Sequence, residues 1–176
     1  IYIPDKAIIE LAGGHLIESS NITYNRNLNL IFSNNKTLVT DIYKNEFYTN
    51  SFNYSIIDKI LTANNVKITD VEKNIYKIKN IKYSLRTNEI IGQDLSVDFN
   101  NKNLKSSQNE PRLKGNAILY KGNTTQVSKG VFTTCKKDDN CPPWVLSAEK
   151  IEHDKVAKTV NYKNALLKIY DVPVFY

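Results

Sequence analysis

Apolar and polar residues alternate at period two along most of the chain, the pattern of strands with one buried face. The alternation is cleanest at Leu95, Val97 and Phe99, separated by Ser96 and Asp98. It recurs at Ile22 and Tyr24, at Leu28, Leu30 and Phe32, at Leu38, Thr40 and Ile42, at Phe52, Tyr54 and Ile56, and at Ile81, Tyr83 and Leu85. Ile60 to Ile68 reads as one extended run, Ile90-Ile91 as a short one before Gly92, and Ile118 and Tyr120 share a face. Trp144, Leu146 and Ala148 alternate with Val145, Ser147 and Glu149; Val160 and Tyr162 oppose Thr159 and Asn161; Ala165, Leu167 and Ile169 repeat the pattern. Gly13-Gly14, Asn34-Asn35-Lys36, Asp58-Lys59, Gly122-Asn123 and His153-Asp154-Lys155 read as turns. Ile1 to Leu11 reads as one strand, and Pro4 confines it to an edge or a bulge. Residues 100–109 are polar and read as a loop.

Helical periodicity is nowhere sustained, and Asn, Tyr and β-branched residues fill the intervals between turns, a composition that favours strands. A weak repeat of strand, turn and strand restarts every 20–33 residues, at Ile22, Phe52, Ile118 and Ile151. The expectation is an all-β protein of stacked antiparallel units, jelly-roll or β-helix-like. No linker divides residues 1–176, so they form one domain.

Net charge is +6 and the pI about 9.1. A basic surface suits nucleic acid, anionic lipid or phosphorylated glycan. The lysines are spread singly between strand positions, as at Lys77, Lys79 and Lys82, and neither an Arg-rich helix nor a recognisable module is present, so no nucleic-acid partner is expected. Mean hydropathy is −0.42, and no run approaches the roughly 20 apolar residues of a membrane helix. Ile1-Tyr2-Ile3-Pro4 lacks the basic start and apolar core of a signal peptide, and the chain contains no Met, so it is expected to begin inside a longer protein or after processing.

Candidate chemistry is sparse. The two histidines and two cysteines do not make a zinc set. Cys135 with His153 has no accompanying oxyanion loop, carboxylates occur singly, and no phosphate-binding loop is present, so neither catalytic residue, metal nor cofactor is expected. A β-helical polysaccharide-degrading enzyme would need clustered Asp, Arg or Lys on adjacent coils, and no such cluster is evident.

The C-terminal stretch carries the specific signal. In order it contains Thr133-Thr134-Cys135, Trp144-Val145-Leu146-Ser147-Ala148, Ile151-Glu152-His153-Asp154, Tyr162-Lys163-Asn164-Ala165 and Val172-Pro173-Val174-Phe175-Tyr176. This ordered set, about a quarter of the chain, resembles the end of the periplasmic OstA-like domain of the LptD (OstA/Imp) lipopolysaccharide-assembly family. Asn109-Glu110-Pro111-Arg112 also fits. The apolar ending suggests that something hydrophobic follows, and the resemblance implies a membrane barrel after Tyr176.

The resemblance implies an open β-jelly-roll (β-taco), LptA/OstA-like, at the periplasmic face of the outer membrane. Its trough would receive the acyl chains of lipopolysaccharide from a periplasmic bridge and pass them to the barrel, without catalysis. The expected trough residues are Leu95, Val97, Phe99, Ile118 and Tyr120, then Trp144, Leu146, Leu167 and Ile169. Implied partners are lipopolysaccharide, an LptA-like bridge protein added to the N-terminal edge strand, and an LptE-like lipoprotein with the full-length barrel. A free LptA-like bridge protein would share the fold, but the Trp144-to-Tyr176 ending fits the barrel-linked domain. Five residues separate Cys135 from Cys141, so a local disulfide is sterically possible. The family's cysteine at the first position pairs instead beyond the barrel. In a fragment without the barrel the local Cys135–Cys141 bond is expected, against two free thiols.

Overall fold

The computed structural model describes residues 1–11, 13–100, 109–136, 143–154 and 156–175. Every regular element among them is a strand, and every pairing is antiparallel. The chain opens with β1 (Tyr2–Ile3) and β2 (Ala7–Leu11), followed by β3 (His15–Ser19) and β4 (Ile22–Asn25). Then come β5 (Leu30–Ser33), β6 (Thr37–Thr40), β7 (Glu46–Thr49) and β8 (Phe52–Ser55). From there the strands are long: β9 (Ile60–Thr69), β10 (Ile75–Ser84), β11 (Glu89–Asp98), β12 (Arg112–Lys121), β13 (Thr124–Thr133), β14 (Trp144–Asp154) and β15 (Thr159–Ile169), with a short β16 (Val172–Phe175).

These strands form one meander of rungs. β1 pairs β4 while β2 pairs β3; β5 pairs β4 and β8 while β6 pairs β3 and β7. Both β7 and β8 then pair β9, at opposite ends of that one strand. The first four rungs are therefore each split in two, and the next seven, β9 to β15, are unbroken. Half of every rung lies in one wall and half in the other, with a crease between them. Turns alternate between two rims: one after Leu11, Thr40, Thr69, Asp98 and Thr133, the other after Asn25, Ser55, Ser84, Lys121 and Asp154.

The crease is visible in burial. Ala63 and Val66 of β9 are both buried, with Asn64 and Asn65 exposed between them; Ile78 and Ile81 likewise bracket Lys79 and Asn80. Two outward residues in succession, where a flat strand would have one, keep the same face inward round a bend. Alternate strands reach the bend with a residue at positive φ: Asn65 (51°), Asp94 (54°), Lys129 (50°) and Asn164 (51°). Asn and Asp tolerate this region; lysine does so at a cost.

The sequence repeat has a structural basis. The interstrand register links Phe52 to Ala63, Ala63 to Ile81, Ile81 to Gly92, Gly92 to Ile118, Ile118 to Val127 and Val127 to Ile151. Phe52, Ile81, Ile118 and Ile151 thus stand just past the crease on every second rung. The rim turns repeat as well. Asp41 and Asp70 each open a five-residue D-x-x-K-N turn, with Lys44 and Lys73 both at φ 67°. In both, the aspartate Oδ1 accepts the Asn backbone N–H at 2.8 Å and Oδ2 accepts the Asn side-chain amide at 2.8 Å.

Two expectations need correction. Ile1 to Leu11 is two strands, because residues 4–6 lie at the crease break and Pro4 offers no N–H to a ladder. His153 and Asp154 end β14 rather than forming a turn; the Asp154 Oδ1 accepts the backbone N–H groups of Val156 (2.8 Å) and Ala157 (2.9 Å), which turn the chain one step later. Most of the expected polar loop, 101–108, and Cys141 lie outside the described residues.

Candidate functional site

The first four rungs close against the adjoining ends of β9 and β10. Ile17, Val39, Phe47, Phe52, Leu61 and Tyr83 are each at most 2% exposed. Phe47, from one wall, stacks on Tyr83, from the other, at 5.4 Å and 11°. His15 meets the same tyrosine edge-on at 5.7 Å. Here the two rims meet over a dry interior.

Further along, the rims part. A small recess of about 70 Å³ lies between Asp41, Phe47, Ile68 and Tyr76 on one wall and Ile90, Ile118, Tyr120 and Thr125 on the other. Beyond it a cleft of about 240 Å³ is floored by Leu95, Val97, Leu113, Ile118, Val127 and Ile151. Its mouth carries polar groups: Glu72, Asn74 and Asn100 on one rim, Thr125 and His153 on the other. Tyr76 lines both spaces, and its hydroxyl donates to Asp70 Oδ2 at 3.0 Å. Burial and the neighbouring Asp70 push its phenol well above the usual range, so it stays a neutral donor. Asn100 fixes the rim by donating its backbone N–H to Asn74 Oδ1 (2.9 Å) and its side-chain amide to the Glu72 carbonyl (2.7 Å). The arrangement is an apolar slot with a hydrogen-bonding lip, suited to holding a chain-like apolar group beside a polar one.

The nine expected trough residues all fall on the inward face. Leu95, Val97, Phe99 and Ile118 line the larger cleft, and Ile118 and Tyr120 the smaller recess. Trp144 and Leu146 lie beyond, cross-strand from Ile169 and Leu167. Phe132 joins the two groups, edge-on to Phe99 at 6.4 Å and to Trp144 at 5.9 Å. The floor thins toward this end. Leu146 and Leu167 are half-buried and Ile169 is 44% exposed.

Leu113, Val127, Ile151, Phe132 and Tyr76 were not among the expected trough residues. The signal for them was the three-residue step at the crease, which shifts the inward parity halfway along each strand. Downstream, the chain ahead of Trp144 is pinned by Arg112, whose guanidinium donates to the carbonyls of Cys135 and Lys136. Thr133 Oγ1 donates to the Trp144 carbonyl at 2.8 Å and accepts the Cys135 N–H at 3.2 Å. Cys135 is half-buried there.

No protein-family model matches the chain. Two curated relatives do. One, the LPS-assembly protein LptD of Alcanivorax borkumensis, is 34% identical over 65 residues, 37% of this chain and 8% of the relative. The other, LptD of Nitrosomonas europaea, is 35% identical over 63 residues, 35% of this chain and 8% of that protein. The chain resembles LptD. The family first read from the C-terminal motifs is thus found again by sequence comparison over about a third of this chain, a match that spans less than a tenth of either LptD. Among solved structures, LptH, the LptA-homologous periplasmic component of the lipopolysaccharide transport device of Pseudomonas aeruginosa, aligns over 87% of this chain and 84% of its own. Its TM-score is 0.32 at 11% identity, too loose a superposition to carry an argument.

Proposed function

We propose that this domain holds the acyl chains of lipopolysaccharide during its transport to the outer membrane, as a non-catalytic groove on the periplasmic side. The supporting observation is the apolar cleft between the parted rims, with its polar lip, in a chain that resembles LptD. Each buried methylene is worth about 0.8 kcal/mol, so acyl chains need continuous cover in water. Register makes that cover smooth along one row, where Val97, Leu113, Phe132, Leu146 and Leu167 pair from strand to strand without a polar residue. The sugar and phosphate part stays at the lip, where Glu72, Asn100 and His153 meet water.

In this reading an LptA-like bridge protein adds a strand to the open edge of β1 and β2, where Ile8 is 66% exposed. The lipid passes on to a barrel assisted by an LptE-like lipoprotein. Cys135 is a free thiol in the structure; thiol mapping by mass spectrometry tests the expected pairing with Cys141, and two free thiols overturn it.

The test is photo-crosslinking. A photoreactive residue at Leu113 or Phe99 captures lipopolysaccharide, while one at the outward Lys114 does not; equal capture at Lys114 overturns the groove. Phe99→Asp and Leu146→Asp, both at half-buried positions, leave the domain folded and reduce capture. If every substitution that lowers capture also unfolds the domain, these side chains are ordinary core. For the edge, a photoreactive residue at Ile3 or Ile8 crosslinks the bridge protein, and crosslinks only at the Val172 end contradict that docking.

A further inference from the structure

His15 is 1% exposed and opens β3 beneath the Gly13-Gly14 turn, at the place where the two rims meet. Its Nε2 lies 3.1 Å from the Tyr83 hydroxyl, which donates in turn to Asn88 Oδ1 at 3.3 Å. That direction of donation makes Nε2 the protonated ring nitrogen. The other nitrogen, Nδ1, is buried without a hydrogen-bond partner among the described residues. The histidine therefore joins the first wall to the second through a single neutral hydrogen bond, and the Phe47–Tyr83 stack beside it does the rest. We propose that this seam is an acid-operated clasp: a second proton on His15 parts the rims over the first four rungs and extends the open groove upstream.

The physical case rests on where that proton would go. It must sit on Nδ1, which faces no acceptor. The nearest carboxylate is Asp41, itself 3% exposed, and it favours the charged ring electrostatically. Its oxygens, however, are already turned into its own rim turn. Oδ1 accepts the N–H groups of Tyr43 (2.9 Å) and Asn45 (2.8 Å), and Oδ2 accepts the Asn45 amide (2.8 Å). Among the described residues, Tyr83 and Asn88 stand beside the ring across the seam, Tyr43 lies in Asp41's own turn, and Tyr120 faces Asp41 from the second wall. Burial outweighs Asp41 and Asn88 and holds the ring's pKa below its ordinary 6.5. The closed seam is thus the neutral-histidine state, and acid favours whichever state lets the ring reach water.

The experiment places spin labels on the two rims, at Lys44 and Arg86, in the whole chain with Cys135 and Cys141 replaced by serine. Between pH 7.5 and pH 5 the label distance lengthens by about 5 Å or more, the width of one strand. Far-UV circular dichroism stays constant, and the His15 ring resonances titrate with the same midpoint. His15→Gln, which keeps a donor for Tyr83 but cannot titrate, holds the short distance throughout; His15→Phe serves the same purpose if the glutamine variant is unstable. An unchanged distance at pH 5, an opening that persists in the non-titrating variant, or an opening that coincides with loss of β signal each overturns the clasp. The upstream extension of the groove rests on the lipid-holding role proposed above. Acid opening without lipopolysaccharide capture at either pH overturns that role and leaves the clasp standing.

Discussion

At the crease of the first four rungs the strands stop; at the crease of the next seven they run through. A stopped strand leaves backbone groups unpaired in a dry place, and buried hydroxyls take them up. Ser33 Oγ donates to the Ser20 carbonyl (2.7 Å), Thr37 Oγ1 to that of Asn35 (2.8 Å), and Thr49 Oγ1 to those of Ser51 (2.9 Å) and Asn64 (2.8 Å). Ser19 and Thr37 also bond each other at 2.8 Å. A strand that runs through keeps its ladder and needs room instead. Gly92, Gly115, Gly130, Ala148 and Ala165 supply it, along with the positive-φ residues. An added Cβ at Gly92 would come within 2.7 Å of Ile78 Cγ2 and 2.9 Å of Ile118 Cγ2. The two solutions have different consequences. The short strands of the first wall lean across until Phe47 stacks on Tyr83 of the unbroken β10, whereas further along the continuous bent strands hold the walls apart and leave a cleft. One half is a clamp that supplies stability and the other a slot that supplies a surface.

The largest test of that division is a matched pair of truncations. Phe47→Ala in the closed half costs about 4 kcal/mol, the loss expected for a fully buried ring. Leu167→Ala in the open half costs about 1 kcal/mol, because its side chain is only partly removed from water. Urea denaturation measures both, and equal losses would erase the distinction between clamp and slot. Next in size is the crease of the open half. In Gly115→Val the new side chain overlaps Val127 Cγ1 and its Cβ comes within 3.2 Å of the Ser128 carbonyl, a rigid neighbour. A loss of about 3 kcal/mol is expected from this overpacking, read by the same denaturation curve.

How far the sequence reveals this fold depends on the same crease. Period-two alternation identified the strands and their inward faces, because half-buried sheets impose it directly. It could not carry the reading across the bend. Ile90-Ile91 and Leu95 to Phe99 look like two strands, yet belong to one ladder from Glu89 to Asp98, since Gln93 and Asp94 both face outward. For the same reason Ile118 and Tyr120 were expected in the trough and Leu113, on the same strand, was not. The nine expected trough residues fall on one face, as each lies on the readable side of its bend. The seam was beyond reach: His15 sits 68 residues from Tyr83, and nothing local marks a histidine that crosses between walls.

A smaller effect separates the two ways of satisfying a crease. Thr49→Val in the closed half keeps shape but removes the donor shared by the Ser51 and Asn64 carbonyls. About 2 kcal/mol is expected, the desolvation cost of a buried acceptor left unpaired. The same exchange at Thr62 leaves stability nearly unchanged, because that side chain is exposed and its bond to the Asn53 carbonyl is long, at 3.5 Å. Thermal melting of the two variants distinguishes a crease-specific role from a general loss of hydroxyls.

The smallest expected effect is a gain. Among the four positive-φ residues at the crease of the unbroken rungs, three are Asn or Asp and the fourth is Lys129, at φ 50°. A lysine Cβ in this region crowds the following carbonyl at a cost of about 1 kcal/mol, which Asn partly offsets with its short polar side chain. Lys129 is exposed and stands opposite Asn116 and Glu149 on the outer side of the bend, so replacing it removes no inward contact. Lys129→Asn is therefore expected to stabilise the domain by about 0.5 kcal/mol, while Lys114→Asn, on the outer face of the neighbouring β12 and away from the bend, gives none. If both variants shift the denaturation midpoint alike, the gain comes from reduced surface charge and not from backbone geometry. If only Lys129→Asn does, the bend itself is strained at that rung, and the open half holds its walls apart at a measurable local cost that the closed half, with its strands cut at the crease, does not incur.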